Sequence, residues 1–148
     1  MKHAPNSFFR ILIVEDDHDR IEILKTWLPD DVMTVAVTSS GKAIGLLERD
    51  HGRVYAGIML DHDLQEQVAA ESDRYLCGQD VVDAITRNIQ KDVPILIHSM
   101  NLSESPAMVR RLESSGFQVT RIPFADLLRE NLTDWVEDAR ELWEDWQD

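Results

Sequence analysis

Cysteine is almost absent from this 148-residue chain. Cys77 stands alone, so no intrachain disulfide can staple the fold. A lone thiol fits a reducing compartment, and a cytoplasmic location is the expectation. Long apolar runs are missing as well: no stretch approaches the roughly 20 residues that cross a bilayer. Met1 to Arg10 lacks the apolar core of a signal peptide, so no membrane association is expected. Basic residues are scarce, 15 against 28 acids, for a formal net charge of −13. Such a field repels polyanions and argues against an extended nucleic-acid surface or an anionic bilayer as partner. It does not exclude a small anionic ligand, because a metal ion or local dipoles can invert the sign inside a cleft. Internal repeats and low-complexity linkers are also lacking, and the length suits one domain over residues 1–148 with a proper core.

What is present is an alternation of short apolar runs and helical patterns. Arg10 to Val14, Val32 to Val37, Tyr55 to Leu60, Pro94 to His98 and Phe117 to Ile122 are the predicted strands. Between the first two, His18 to Leu28 repeats Ile21, Leu24 and Leu28 at helical spacing and stops at Pro29. Ser39 or Ser40 caps a second helix, whose apolar side holds Ala43, Ile44, Leu46 and Leu47. Asp80 to Ile89 turns Val81, Val82, Ile85 and Ile89 inward, and a helix opening at Ser105-Pro106 is stopped by Gly116. Ala125 to Asp148 carries Leu128, Leu132, Trp135, Ala139, Leu142 and Trp146 on one stripe. Thr133 is placed to split that stretch into two helices, and Trp143 lies off the stripe and is expected to be exposed. Gln65 to Cys77 is a polar connection longer than most strand-to-helix loops. Strands alternating with helices predict an α/β fold, a flavodoxin-like doubly wound five-stranded parallel sheet of order 2-1-3-4-5 with helices on both faces.

That strand order has a chemical consequence. The first and third strands become neighbours, so Glu15, Asp16, Asp17 and Asp61 meet at the carboxyl edge of the sheet, where such sheets bind ligands. Carboxylates this close repel one another, and hard oxygen ligands with room for water suit Mg²⁺. The competing account of acids at a strand end is a solvated loop. Two histidines also end adjacent strands: His62 follows Asp61 and precedes Asp63, and His98 ends the fourth strand ahead of Ser99. His98 and Ser99 are consecutive, so both face the site only if the strand ends between them.

The runs ILIVEDD, IMLD and PILIHS resemble the receiver domain of response regulators, over nearly the whole chain from Arg10 to about Trp146. The resemblance implies that Asp16 and Asp17 are the acidic metal-site pair, that Asp61 is the phosphate-accepting aspartate, and that Ser99 is the hydroxyl at the end of strand 4. It also implies a histidine kinase or another signalling protein as partner. One position departs from it. Receivers place a lysine just before the proline after strand 5, whereas this chain has Ile122 before Pro123, with Arg121 one residue earlier on the opposite strand face. A narrower resemblance covers the departures: Leu60-Asp61-His62-Asp63-Leu64, Gly78-Gln79-Asp80-Val81-Val82 and His98-Ser99-Met100-Asn101 are similar to the receiver branch that processes cyclic phosphates. It implies a small phosphorylated or cyclic-phosphate ligand. Asp61, His62, Asp63 and His98 would be catalytic, Ser99 and Asn101 would bind phosphate or ribose, and Mg²⁺ would be held by Glu15, Asp16, Asp17 and Asp61. The alternative is a stand-alone receiver phosphorylated on Asp61.

Overall fold

The computed structural model describes residues 8–61, 78–101 and 104–147. Five strands, β1 (Arg10–Val14), β2 (Met33–Val37), β3 (Gly57–Leu60), β4 (Ile95–Ile97) and β5 (Val119–Arg121), form one parallel sheet in the order β2-β1-β3-β4-β5. The expected architecture is therefore the observed one. Five helices accompany the strands: α1 (His18–Trp27), α2 (Ser40–Arg49), α3 (Gly78–Asn88), α4 (Ser105–Ser114) and α5 (Arg129–Gln147). None of the described helices is long and apolar enough to cross a membrane.

The strands are apolar on both faces because both faces are covered. Ile11 and Ile13 of β1, with Met59 and Leu96, pack under Ile21 and Leu24 of α1 and under Leu132, Trp135, Val136 and Ala139 of α5. Leu12 and Val14, with Ile58, Leu60, Ile95 and Ile97, face Ala43 and Leu47 of α2, the Val81, Val82 and Ile85 stripe of α3, and Met108 and Leu112 of α4. Burying each such side chain contributes roughly 1.5–3 kcal/mol. Register follows from the pattern: Val14 pairs with Leu60, and Leu60 with Ile97, so the three central strands end together.

Local signals set the helix ends. The Ser39 hydroxyl accepts from the Lys42 N–H, which makes Ser39 rather than Ser40 the cap of α2. Gly116, at φ +101°, takes the left-handed conformation that ends α4. Gly57 opens β3 because the indole of Trp135 lies over it; an added Cβ would sit 2.7 Å from the Trp135 ring.

The C-terminal segment differs from expectation. A short 3-10 turn at Phe124–Asp126 is followed by one unbroken helix rather than two. Thr133 does not cap; its hydroxyl donates to the Arg129 carbonyl one turn back, a bond a helix interior accommodates. Leu128, placed on the buried stripe by its spacing, is 55% exposed just before α5, and Leu127 is buried in its stead. Trp143 packs on Phe9, with ring centroids 5.4 Å apart, instead of facing solvent. The loop Gln65 to Cys77 lies outside the described residues.

Candidate functional site

The site grows from the flush ends of three strands. Beyond Val14, Leu60 and Ile97 the ladder continues for one more residue on each: Glu15 N–H donates to Val37, Asp61 N–H to Val14, and His98 N–H to Leu60. Backbone bonds thus hold Glu15, Asp61 and His98 side by side at the carboxyl edge. β4 stops at Ile97, so His98 and Ser99 are free of strict alternation. All four side chains are buried.

Carboxylates dominate the cluster. One ligand oxygen from each of Glu15, Asp16 and Asp61 lies within 4.8 Å of the others, and all three residues are buried. Glu15 shares side-chain hydrogen bonds with Asp61 and Asp16. Its Oε2 accepts from the Asp17 N–H at 3.1 Å, and its Oε1 lies 3.1 Å from His98 Nε2. Asp61 is hydrogen-bonded to Ser99. Burial, reinforced by the Glu15 charge, pushes the Asp61 carboxyl up to about 7. Burial likewise pushes Glu15 to about 7, against the Asp17 N–H that favours its ionised form. His98 moves the other way: full burial, helped by the Arg20 charge, holds it down to about 4. A neutral His98 facing an ionised Glu15 carries its proton on Nε2, and Nδ1 is buried without a hydrogen-bond partner among the described residues.

Asp17 is not part of the cluster. It is the N-cap of α1, where its Oδ1 accepts from the N–H groups of Asp19 and Arg20 at 2.9 and 3.2 Å. Of the four carboxylates expected to hold the metal, the structure brings Glu15, Asp16 and Asp61 together, while the Asp17 side chain is engaged at the start of α1. The cause is the helix start: once α1 begins at His18, the residue before it is needed to satisfy orphan N–H groups. Asn101 is likewise engaged locally, since its Oδ1 accepts from the Glu104 N–H at 2.8 Å ahead of α4. Its backbone N–H donates to Ser99 Oγ at 3.0 Å. His62 and Asp63 lie outside the described residues. His18 is exposed at the start of α1.

The trio fits a hard divalent cation. Its donors are all oxygens, they converge, and both titrating members are penalised for carrying charge, a penalty a cation removes. Residue spacing alone did not single out Arg20. Its Nη1 stands 3.8 Å from Glu15 Oε1, its Nε stands 4.0 Å from Asp17 Oδ2, and its guanidinium lies 5.1 Å from the Phe124 ring centroid. The signal was available as a cation one helical turn past an acidic run, but only the fold brings Phe124 beneath it. Just beyond β5, half-buried Ile122 packs against the core cluster on the α1 and α5 face. Arg121 pairs with Ile97 on the opposite face, where its Nε and Nη2 are buried without hydrogen-bond partners among the described residues.

Residues 10–114 match the family model described as the cyclic-phosphate processing receiver domain. The chain belongs to that family. Solved structures of receiver domains share its fold. The response regulator domain of Thermotoga maritima CheB is 16% identical, with a TM-score of 0.62 over 93% of this chain and 97% of that one. A sensor protein from Polaromonas is 22% identical, with a TM-score of 0.64 over 91% and 98%. The receiver domain of the sensor histidine kinase PA1611 from Pseudomonas aeruginosa, solved with a magnesium ion coordinated in its active-site cleft, is 17% identical, with a TM-score of 0.62 over 89% and 97%. No curated protein matches the sequence. In this receiver domain the three family-specific runs divide by place in the fold. Val81 and Val82 of the Gly78 to Val82 run are core residues of α3, whereas Asp61, His98 and Ser99 form the acidic edge.

Proposed function

We propose that this receiver domain binds Mg²⁺ through Glu15, Asp16 and Asp61 and processes a cyclic phosphate at that edge. The observation that carries the reading is the buried trio itself, locked on one side by the Glu15–His98 contact and on the other by the Asp61–Ser99 hydrogen bond. When bound, the cation supplies positive charge for the phosphoryl oxygens. The chain's own residues do the rest. Opening a cyclic phosphodiester needs a base to take a proton from water and an acid to return one to the leaving oxygen. His62, adjacent to Asp61 in sequence, is the imidazole proposed for that transfer, with Asp63 orienting it.

In this reading His98 positions the site rather than transferring the proton. Fully buried and held near 4, it is a poor proton carrier at neutral pH. It is a positioning residue that fixes the Glu15 carboxylate. Ser99 does the same for Asp61. Asn101 serves by holding the Ser99 turn rather than by reaching the ligand.

The test is Mg²⁺-dependent hydrolysis of a 2′,3′-cyclic nucleotide. Turnover should vanish in Asp61→Asn and fall by about two orders of magnitude in His62→Ala. Undiminished turnover in both would overturn the proposal. The second reading, phosphorylation of Asp61 by a histidine kinase, draws on the receiver fold and on the Ser99 hydroxyl bonded to Asp61. It predicts that acetyl phosphate with Mg²⁺ labels the wild type and not Asp61→Asn. Against it stands β5, where the residue on the face of Asp61 is the uncharged Ile122, while Arg121 pairs with Ile97 on the opposite face.

A further inference from the structure

The acidic edge needs a cation of its own if an anionic ligand is to sit there, because the chain carries a net charge of −13 and the cluster is built from carboxylates. β5 does not supply it, since the residue following it is the uncharged, half-buried Ile122 and Arg121 pairs with Ile97 on the opposite face. Among the described residues, the cation that reaches the cluster is Arg20 of α1.

Its placement has three features. The guanidinium approaches Glu15 and Asp17 only at 3.8 and 4.0 Å, beyond hydrogen-bond distance, and it makes no hydrogen bond to another described residue. Its side chain is 31% exposed, so its donors are both oriented and accessible. It is also held: the Phe124 ring lies beneath it, and the Phe124 N–H donates to the His98 carbonyl at 2.9 Å, tying the platform to the same strand edge. A planar five-donor group kept at a fixed angle with its donors unspent is suited to bidentate recognition of phosphate oxygens.

We infer that Arg20 is the phosphate-binding residue of this site, supplying from α1, on a Phe124 platform, the cation that β5 lacks. The inference rests on the phosphate reading of the site given above. A ligand phosphoryl group replaces the two loose carboxylate contacts of the guanidinium, while Glu15 and Asp61 remain with the metal. The alternative is that Arg20 merely offsets the carboxylates; it then competes with a metal and contributes nothing to anion affinity.

Inorganic phosphate in saturating Mg²⁺, titrated by calorimetry against wild type, Arg20→Gln and Arg20→Lys, tests this, with Mn²⁺ affinity measured separately on each protein. Arg20→Gln should weaken phosphate by about tenfold and Arg20→Lys by less, since a point charge keeps attraction but loses the fork. Mn²⁺ binding to Arg20→Gln should be equal to the wild type or tighter. Phosphate affinity of Arg20→Gln within twofold of wild type overturns the inference and leaves the function proposal standing. Loss of Mn²⁺ and phosphate together also overturns it, because the defect is then in the site's integrity. Wild type that binds Mn²⁺ but no phosphate refutes the phosphate reading and this inference with it.

Discussion

Replacing Asp61 by Asn should stabilise the metal-free protein. Asp61 is 1% exposed, and its carboxyl rises from an ordinary 3.8 to about 7, first through burial and then through the Glu15 charge. That rise corresponds to roughly 4 kcal/mol against the ionised form. A second route gives a similar size: two unit charges at the 4.8 Å bound of the cluster repel by roughly 3.5 kcal/mol at an effective dielectric of 20. Since the surroundings relax around the two ionised carboxylates, a gain of about 2–3 kcal/mol is the expectation at pH 9 in chelator. The pH dependence has a definite sign. Below 3.8 the group is protonated folded and unfolded, and contributes nothing. Between 3.8 and about 7 folding takes up a proton, so stability falls as pH rises, and above about 7 the whole penalty is present. The variant should therefore gain little at pH 4 and most at pH 9. Thermal unfolding reads this directly, as a rise of roughly 4–12 °C at pH 9 for a chain of this size. Saturating Mg²⁺ should lift the wild type and leave the variant nearly unmoved. A variant no more stable than wild type at pH 9 in chelator would refute the electrostatic account of the site.

Other consequences are structural. Gly57→Ala should cost about 1–3 kcal/mol in urea unfolding and alter tryptophan emission, because its Cβ meets Trp135 at 2.7 Å and Ile11 at 3.1 Å. Thr133→Ala should change stability by less than about 0.5 kcal/mol, where loss of a true N-cap would cost about 1. Tyr55→Phe removes a 2.7 Å hydrogen bond to Asp50 at the far end of the sheet, and should cost about 0.5–1.5 kcal/mol while leaving Mn²⁺ affinity unchanged. The Asp50 carboxyl is held low by Arg49, with Tyr55 adding to the effect, so its stabilising contribution should be present at neutral pH and fade as acid protonates it. Comparing Asp50→Asn with wild type at pH 7 and pH 3 checks this.

Much of the fold was legible because its signals are local and redundant. Each strand is a short apolar run flanked by turn or cap residues, and the alternation with amphipathic helices permits few topologies. The misreadings came where two local rules competed. Thr133 has a capping side chain, but continuous burial of Leu132, Trp135, Val136 and Ala139 carries the helix straight through it. Leu128 fits the stripe by spacing, yet the 3-10 turn ahead of α5 shifts the phase and buries Leu127. Trp143 lies off the stripe, and only the fold brings Phe9, distant in sequence, against it.

By itself the sequence determined the parallel order, the carboxyl edge as the place for chemistry, and the convergence of acids from two strands, since period, length and strand order follow from patterning. Only the tertiary structure decided which acids join. Asp17 goes to the helix cap because α1 begins one residue later, and Glu15 goes inward because its backbone prolongs the β1–β2 ladder. The same holds for His98, buried against Glu15, and for Arg20 on its Phe124 platform. Burial and contacts distant in the chain set those roles, and neither is written in local spacing.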